Sequence, residues 1–475
     1  MGFYLRTYKA QELFYYSHDQ DLAGWFIRDV VENGHLRLIG QETSTKGIFI
    51  GPIYYYMLIP FYLLFGMNPI GGVVMITIFG LLAILSVFYV FSKVFDKQVG
   101  YIATFIYAVS FYTVFNDREV VPTMPVIVWT VWFLYAIDLL LKGKQKLSYL
   151  IFGLLIGLIW HLNVALILTI PLIFVAQTLS KKKLQVNNTK SGIIALMFGI
   201  APFLLFELRH GFSQTRWFVK SMSTDQSAVI EGFDKVMRTI QLNSKNVVGL
   251  LWGNVIEIKA EIVFASLIIV FIFLFIKKII DKNLFVILST WIVSFLAFFS
   301  LYSKHLSEYY LNGLIIVWIL ILSVGFKYIL QGKKYLLIGI TLIAVFGLIN
   351  INRILTLDIN RSGYVEKFSL IREIKANASG HNYPCVSVSY ITDPGYNFGY
   401  RYLFWYEKMH VNKPVSGSPV YTIVFPLRDD IEVDKTFGAL GLIYPNYSRY
   451  NVEEIEISCS GENSNVTDPM WGLTQ

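Results

Sequence analysis

Residues 147–180 read LSYLIFGLLIGLIWHLNVALILTIPLIFVAQTLS. The stretch contains no Asp, Glu, Lys or Arg. It is too long for one membrane crossing, because a helix needs about 20 residues to pass through hydrocarbon. Trp160-His161-Leu162-Asn163 is a plausible hairpin tip, which leaves two short spans, 147–161 and 163–180. Lysines stand on both flanks: Lys142, Lys144 and Lys146 before it, and Lys181, Lys182, Lys183 and Lys190 after it. Two spans that begin and end beside lysine clusters place both clusters on one side of a bilayer.

Further apolar runs lie at 70–92, 98–115, 120–141, 191–208, 262–280, 284–302, 309–330 and 335–352. With the hairpin they make about ten spans, which predicts an α-helical polytopic membrane protein. Composition agrees, because 55% of the chain is hydrophobic and only 15% charged, and mean hydropathy is +0.55. A soluble fold cannot hide that much apolar surface, whereas lipid accepts it.

The remaining lysine-rich loops hold Lys93 and Lys97; Lys277, Lys278 and Lys282; and Lys327, Lys333 and Lys334. These loops alternate with others of mixed charge, so the positive-inside rule assigns them to the cytoplasm. The same rule accounts for the net charge of +8. No basic, aromatic-interleaved surface segment points to nucleic acid. The opposite loops hold Asp117-Arg118-Glu119, the long segment 209–261, and Lys304-His305 with Glu308. Within 209–261, residues 215–250 are amphipathic and are expected on the outer membrane surface.

Three regions are expected: an outer first loop with juxtamembrane helices at 1–69, a transmembrane region at 70–352, and a small C-terminal α/β extracytoplasmic domain at 353–475. The N-terminal region allows two topologies. If 50–66 spans, the N-terminus is cytoplasmic; if it lies in the interface, the N-terminus is outside and a first helix precedes this sequence. Residues 17–34 read as a helix, with Ser17 and Gln20 forming a capping box and Gly34 as the stop. In the C-terminal region Cys385–Tyr390, Tyr421–Phe425 and Val452–Ile457 alternate like strands, 401–409 suits a helix, and disorder is expected after Gly461. Cys385 and Cys459 are the only cysteines and fall at two strand ends, where a disulfide or two unpaired packing cysteines would fit. No Cys/His cluster suggests a metal, no Walker loop suggests an ATP-driven pump, and no cofactor is called for.

The spans are nearly free of charge, which argues against a proton-coupled transporter. Polar chemistry gathers in the outer loops. Asp19 and Asp21 lie in the first turn of the 17–34 helix, where the dipole favours ionised carboxylates. Two residues apart, they cannot share a face, so they are not an acid/base couple. Arg209, His210, Lys304, His305 and Arg118 could meet a lipid-linked phosphate, or could snorkel to headgroups.

An ordered set of features resembles the GT-C superfamily of membrane glycosyltransferases, in the branch of the dolichyl-phosphate-mannose–protein mannosyltransferases and lipid A aminoarabinose transferases. It comprises Tyr16-Ser17-His18-Asp19-Gln20-Asp21, Leu38-Ile39-Gly40, Gly51-Pro52-Ile53-Tyr54-Tyr55-Tyr56, Leu63-Leu64-Phe65-Gly66, Phe206-Glu207-Leu208-Arg209-His210 and Glu308-Tyr309-Tyr310. The resemblance covers roughly residues 14–330. It implies that 1–47 is extracytoplasmic, that 50–66 is juxtamembrane, and that the family's first helix is absent from this sequence.

It also implies that Asp19 is the catalytic base. Relatives commonly follow that residue with Glu; here Gln20 stands there, so a second carboxylate role falls to Asp21 or is lost. Glu119 or Asp117 would match the acidic residue of the second outer loop, and Tyr54, Tyr55 and Tyr309 would line the donor or lipid groove. The expected reaction is inverting transfer of a sugar from a polyprenyl-phosphate carrier to a hydroxyl acceptor, at the outer face of the plasma membrane and with no obligatory metal. The acceptor stays open among protein, lipid and glycan. A non-catalytic flippase or polysaccharide transporter, and an anchor presenting the C-terminal domain, are the competing expectations.

Overall fold

A computed structural model describes all residues except 44–46, 181, 224–231, 303–305, 359–360, 462 and 466–475. The expected Lys304 and His305, and most of the tail after Gly461, lie outside the described residues.

The N-terminal third holds α1 (Gly2–Thr7), α2 (His18–Asn33), α3 (Ile53–Leu64), α4 (Ile70–Val94), α5 (Lys97–Val109), α6 (Phe111–Asn116) and α7 (Val126–Leu141). The middle holds α8 (Gln145–Leu162), α9 (Ile170–Leu179), α10 (Val186–Arg209), α11 (Ser213–Ser223) and α12 (Phe233–Leu251). Then come α13 (Ala260–Ile276), α14 (Lys282–Leu301), α15 (Ile315–Gln331) and α16 (Leu336–Leu355). Each of the ten apolar runs holds a helix. Among the described residues, six helices are long and apolar enough to cross a membrane: Ile70–Val94, Gln145–Leu162, Val186–Arg209, Lys282–Leu301, Glu308–Gln331 and Leu336–Leu355. Shorter apolar helices at Ile53–Leu64, Val126–Leu141, Val164–Leu179 and Ala260–Ile276 complete the bundle. The long run 98–115 divides into α5 and α6, which meet at Ser110, whose hydroxyl donates to the Leu250 carbonyl at 2.7 Å.

The hairpin read from 147–180 forms as expected. The Asn163 side chain accepts from Ala165 N–H at 2.9 Å and so starts the returning segment. His161 is buried at the tip, with its Nε2 2.9 Å from the Gly199 carbonyl. Helices α8 and α10 approach backbone to backbone through Gly153 against Gly192 and Gly157 against Gly199. Small residues let helices close up where lipid gives no hydrophobic drive between them.

The lysine-rich loops meet at one end of the bundle. Lys142 Nζ donates to the Lys93 carbonyl at 3.0 Å, Gln145 donates to the Lys183 carbonyl at 3.0 Å, and Lys327 pairs with Asp96. The mixed-charge loops gather at the other end with the C-terminal domain.

One expectation fails in part here. Helix α12 does not lie wholly on the surface: Leu242, Asn243, Val247 and Leu250 are buried in the bundle, and Trp318 Nε1 donates to Asn243 at 3.3 Å. Its amphipathic pattern reflects one face turned to protein rather than to lipid.

The C-terminal domain holds α17 (Tyr364–Gly380), β1 (Val386–Thr392), α18 (Arg401–Tyr406), β2 (Val411–Asn412), β3 (Val420–Phe425), β4 (Lys435–Phe437), β5 (Leu440–Ile443) and α19 (Val452–Cys459). The sheet order is β2-β1-β3-β5-β4. Strand β1 runs parallel to both β2 and β3, and β5 is antiparallel to β3 and β4. Cys385 and Cys459 are joined in a disulfide with Cα atoms 5.5 Å apart. The expected third strand at Val452–Ile457 is instead helix α19: Asn451 caps it by accepting from Glu453 N–H, and Glu453 and Glu454 sit in its first turn.

Candidate functional site

The site is built around the start of α2. Gln20 Oε1 accepts from the Ser17 N–H at 2.8 Å and from the Ser17 hydroxyl at 2.9 Å, which fixes the first turn. Gly34 ends the helix in the left-handed region, φ 65°. The Gln20 amide also reaches across to the loop after α6, donating to the Val120 carbonyl at 3.2 Å. One residue further, buried Asp21 accepts from the Tyr402 N–H at 2.9 Å and from the Tyr16 hydroxyl at 3.4 Å. Tyr402 belongs to the C-terminal domain, and its ring fills the space beside Gly24. The helix is therefore held by the loop after α6 through Gln20 and by the C-terminal domain through Asp21.

Asp19 lies between these two anchors. It is half-buried and accepts from the Gln41 side-chain amide at 3.0 Å. Burial raises its pKa, against the opposing pull of His18 and the Gln41 hydrogen bond. Glu119, on the loop held by Gln20, is pushed up to about 7 by burial and by the charge of Asp19. The charge of Asp19 thus reaches the Glu119 carboxyl. Tyr54 lies within electrostatic range of both, and its buried hydroxyl has no hydrogen-bond partner among the described residues. Gln41 Oε1 is likewise buried without one. On the far side of Glu119, Tyr112 donates to Asn312 at 2.6 Å, and Asn312 donates to Asn116 at 3.3 Å. Asp19, Glu119, Tyr54 and Gln41 are linked by hydrogen bonding or charge, a polar set that could activate a hydroxyl nucleophile.

The other residues singled out from the sequence are placed differently. Asp117 is buried in an ion pair with Arg6 at 2.6 Å and accepts from the Tyr107 hydroxyl at 2.8 Å. It joins α1 to the bundle and does not face Asp19. Arg118 donates to the carbonyls of Leu5, Tyr8 and Lys9, closing the end of α1. Burial and nearby Arg6 pull its pKa down to about 10. His210 stacks on Phe206 at 4.1 Å and bonds the Phe206 carbonyl, while Arg209 is exposed at the end of α10. Tyr55 stacks on Phe26 at 4.8 Å below α2, and Tyr309 stacks on Tyr310 at 4.4 Å. Lys304 and His305 fall outside the described residues. Among the described residues no group of three or more His, Cys, Asp or Glu is arranged to hold a metal ion.

Three residues make polar contacts that the sequence reading did not assign, Glu207 having entered it only within the Phe206–His210 motif. Gln41 sits in a polar stretch without a motif. Glu207 caps α11, accepting from Gln214 N–H at 2.9 Å and Thr215 N–H at 3.0 Å. Lys367 is buried beside Asp21, donates to the Phe398 carbonyl at 3.2 Å and lies over the Tyr400 ring at 4.4 Å. Burial lowers its pKa to about 8, although Asp21 opposes the shift. A lone lysine in an amphipathic helix carries no such signal.

Residues 50–206 match the family described as dolichyl-phosphate-mannose-protein mannosyltransferase. No curated protein matches the chain in a sequence search. Among solved structures, ArnT from Cupriavidus metallidurans in the apo state superposes with a TM-score of 0.62 at 11% identity, over 94% of this chain and 97% of that one. The same protein bound to undecaprenyl phosphate gives 0.59 at 13% identity, over 95% and 97%. An oligosaccharyltransferase from Archaeoglobus fulgidus, in complex with Zn and sulfate, gives 0.50 at 12%, over 89% and 67%. The chain thus has the GT-C fold, and the resemblance drawn from its motifs is borne out.

Proposed function

We propose that this GT-C membrane protein transfers a sugar from a polyprenyl-phosphate carrier to a hydroxyl acceptor, with inversion at the anomeric carbon. The reading rests on the bond from Gln20 to the Val120 carbonyl, which joins the segments that carry Asp19 and Glu119, and on the electrostatic reach of Asp19 to Glu119. The structural likeness to ArnT bound to undecaprenyl phosphate supports the choice of carrier.

The acceptor oxygen forms a bond to the anomeric carbon as the bond from that carbon to the phosphate oxygen breaks. Asp19 takes the hydroxyl proton. Glu119, when ionised, raises the proton affinity of Asp19 and makes it a stronger base. The departing phosphate needs positive charge rather than a proton. Arg209, His210, Lys304 and His305 remain the proposed source, since Arg118 is occupied by three carbonyls. Tyr54, Tyr55 and Tyr309 are proposed to line the donor groove. Asp21 and Asp117 serve as anchors in this scheme.

The lysine-rich end is assigned to the cytoplasm, so the site and the domain 353–475 face outward from the plasma membrane. The test uses the full chain in proteoliposomes with undecaprenyl-phosphate sugars labelled at the anomeric carbon. Formation of product with the inverted anomeric signal supports the proposal. A retained configuration, or translocation of intact carrier without consumption, contradicts it.

A further inference from the structure

The carboxyl end of β1 opens into a cavity of about 480 Å³, lined by Val388, Tyr390, Thr392, Asp393, Asn397 and Pro414 among others. It lies at the end of a strand with parallel neighbours on both sides. Such strand ends are where open α/β sheets bind ligands. The lining mixes small apolar faces with hydroxyl and amide groups. The Asn397 amide is exposed and makes no hydrogen bond within the described residues. The one carboxylate, Asp393, is paired with Arg428 at 3.2 Å, so the cavity presents no free charge among the described residues. Exposed aromatic rings stand on the adjoining loop: Tyr396, 4.9 Å from Phe425, and Phe398.

The same loop reaches the catalytic helix. Phe398 lies 4.5 Å from the ring of His18, next to Asp19. Gly399, at φ 83°, sits directly on the Ser17 carbonyl, where a Cβ would come within 3.0 Å of the oxygen. Asp393, Pro394 and Asn397 therefore line the cavity, while Phe398 and Gly399 rest on the residues flanking Asp19.

We infer that this cavity binds an uncharged saccharide unit of the acceptor, so that its reacting hydroxyl is delivered along loop 393–400 to Asp19. Neutral hydroxyl-rich ligands fit a site that offers amide and hydroxyl partners, apolar walls, neighbouring rings and no free charge. The inference rests on the acceptor-transfer reading above and names the chemical class of the acceptor.

The test is hydrogen exchange on the full chain in lipid nanodiscs, with mannobiose, cellobiose or chitobiose as probes at millimolar concentration. At least one disaccharide slows exchange across 388–397 threefold or more. Asn397→Trp, which fills the cavity from an exposed position, abolishes that protection, and Thr392→Val weakens it. No protection by any of the three overturns the inference. So does protection that persists in Asn397→Trp, or protection by a serine/threonine peptide in place of the saccharides. The readout needs no turnover, so failure of the transferase reading shows separately, as absent donor consumption by the wild-type protein.

Discussion

The side-chain amide of Gln20 donates to the carbonyl of Val120 at 3.2 Å, joining two segments 100 residues apart in the chain. It joins the segment of Asp19 to that of Glu119, whose carboxyl feels the Asp19 charge. It also explains how Gln can stand where relatives of the GT-C fold commonly carry Glu: the amide supplies a donor that a carboxylate lacks. Gln20→Glu therefore loses the bridge and leaves a buried carbonyl facing a carboxylate. A fall in turnover of about 10-fold or more is expected, with the helix intact by circular dichroism.

The pH profile is a second test. Glu119 has a folded-state pKa raised to about 7, so it ionises across the neutral range. Since its charge strengthens Asp19 as a base, the rate rises with pH through about 7. Glu119→Gln removes that limb and lowers the plateau. For stability the sign is opposite: a raised carboxyl pKa means that the folded state holds its proton longer, so stability falls as pH rises from 4.5 toward 7. Glu119→Gln should flatten that fall, as read by thermal unfolding across pH.

Asp19 and Asp21 should separate cleanly. Asp21 is buried against Tyr402 N–H, the Tyr16 hydroxyl and Lys367. Asp21→Ala strands the buried Tyr402 N–H and is expected to cost about 1–3 kcal/mol, loosening the C-terminal domain from α2. Limited proteolysis near residue 400 would detect this as faster cleavage. Asp19→Asn, half-buried and hydrogen-bonded to Gln41, should show no such change.

The second outer loop offers the same contrast. Asp117→Ala breaks a buried pair with Arg6 and should destabilise by about 3–5 kcal/mol. Arg6→Met with Asp117→Leu, replacing the pair by apolar groups, should recover most of that loss. Thermal unfolding of the detergent-solubilised protein reads both. Recovery would show Asp117 to be structural, in contrast to Glu119 two residues on.

What could be read from the sequence follows from the range of each interaction. The ten apolar runs and their polarity were legible because a bilayer imposes length and composition on each segment independently. Helix α2 was legible because Ser17, Gln20 and Gly34 are local signals. The Val452–Ile457 segment was misread because six residues of alternation fit a strand, while the Asn451 cap and the two glutamates behind it decide for a helix. Helix α12 was misread because an amphipathic pattern does not say whether protein or lipid covers the apolar face. Asp19 was reached through the ordered motifs. Glu119 was reached the same way, as one of two choices; its link to Asp19, the partner Gln41, and the separate duties of Asp117, Arg118 and Lys367 depend on contacts between distant segments that no local pattern encodes.

The central claim is that Asp19 is the base for sugar transfer. Its most direct test is the single-turnover rate of donor consumption by wild type and Asp19→Asn, with undecaprenyl-phosphate-linked labelled sugar in proteoliposomes. The account predicts a loss of about 10²–10⁴-fold in Asp19→Asn, with an unfolding temperature close to wild type. Turnover by Asp19→Asn at the wild-type rate would contradict it.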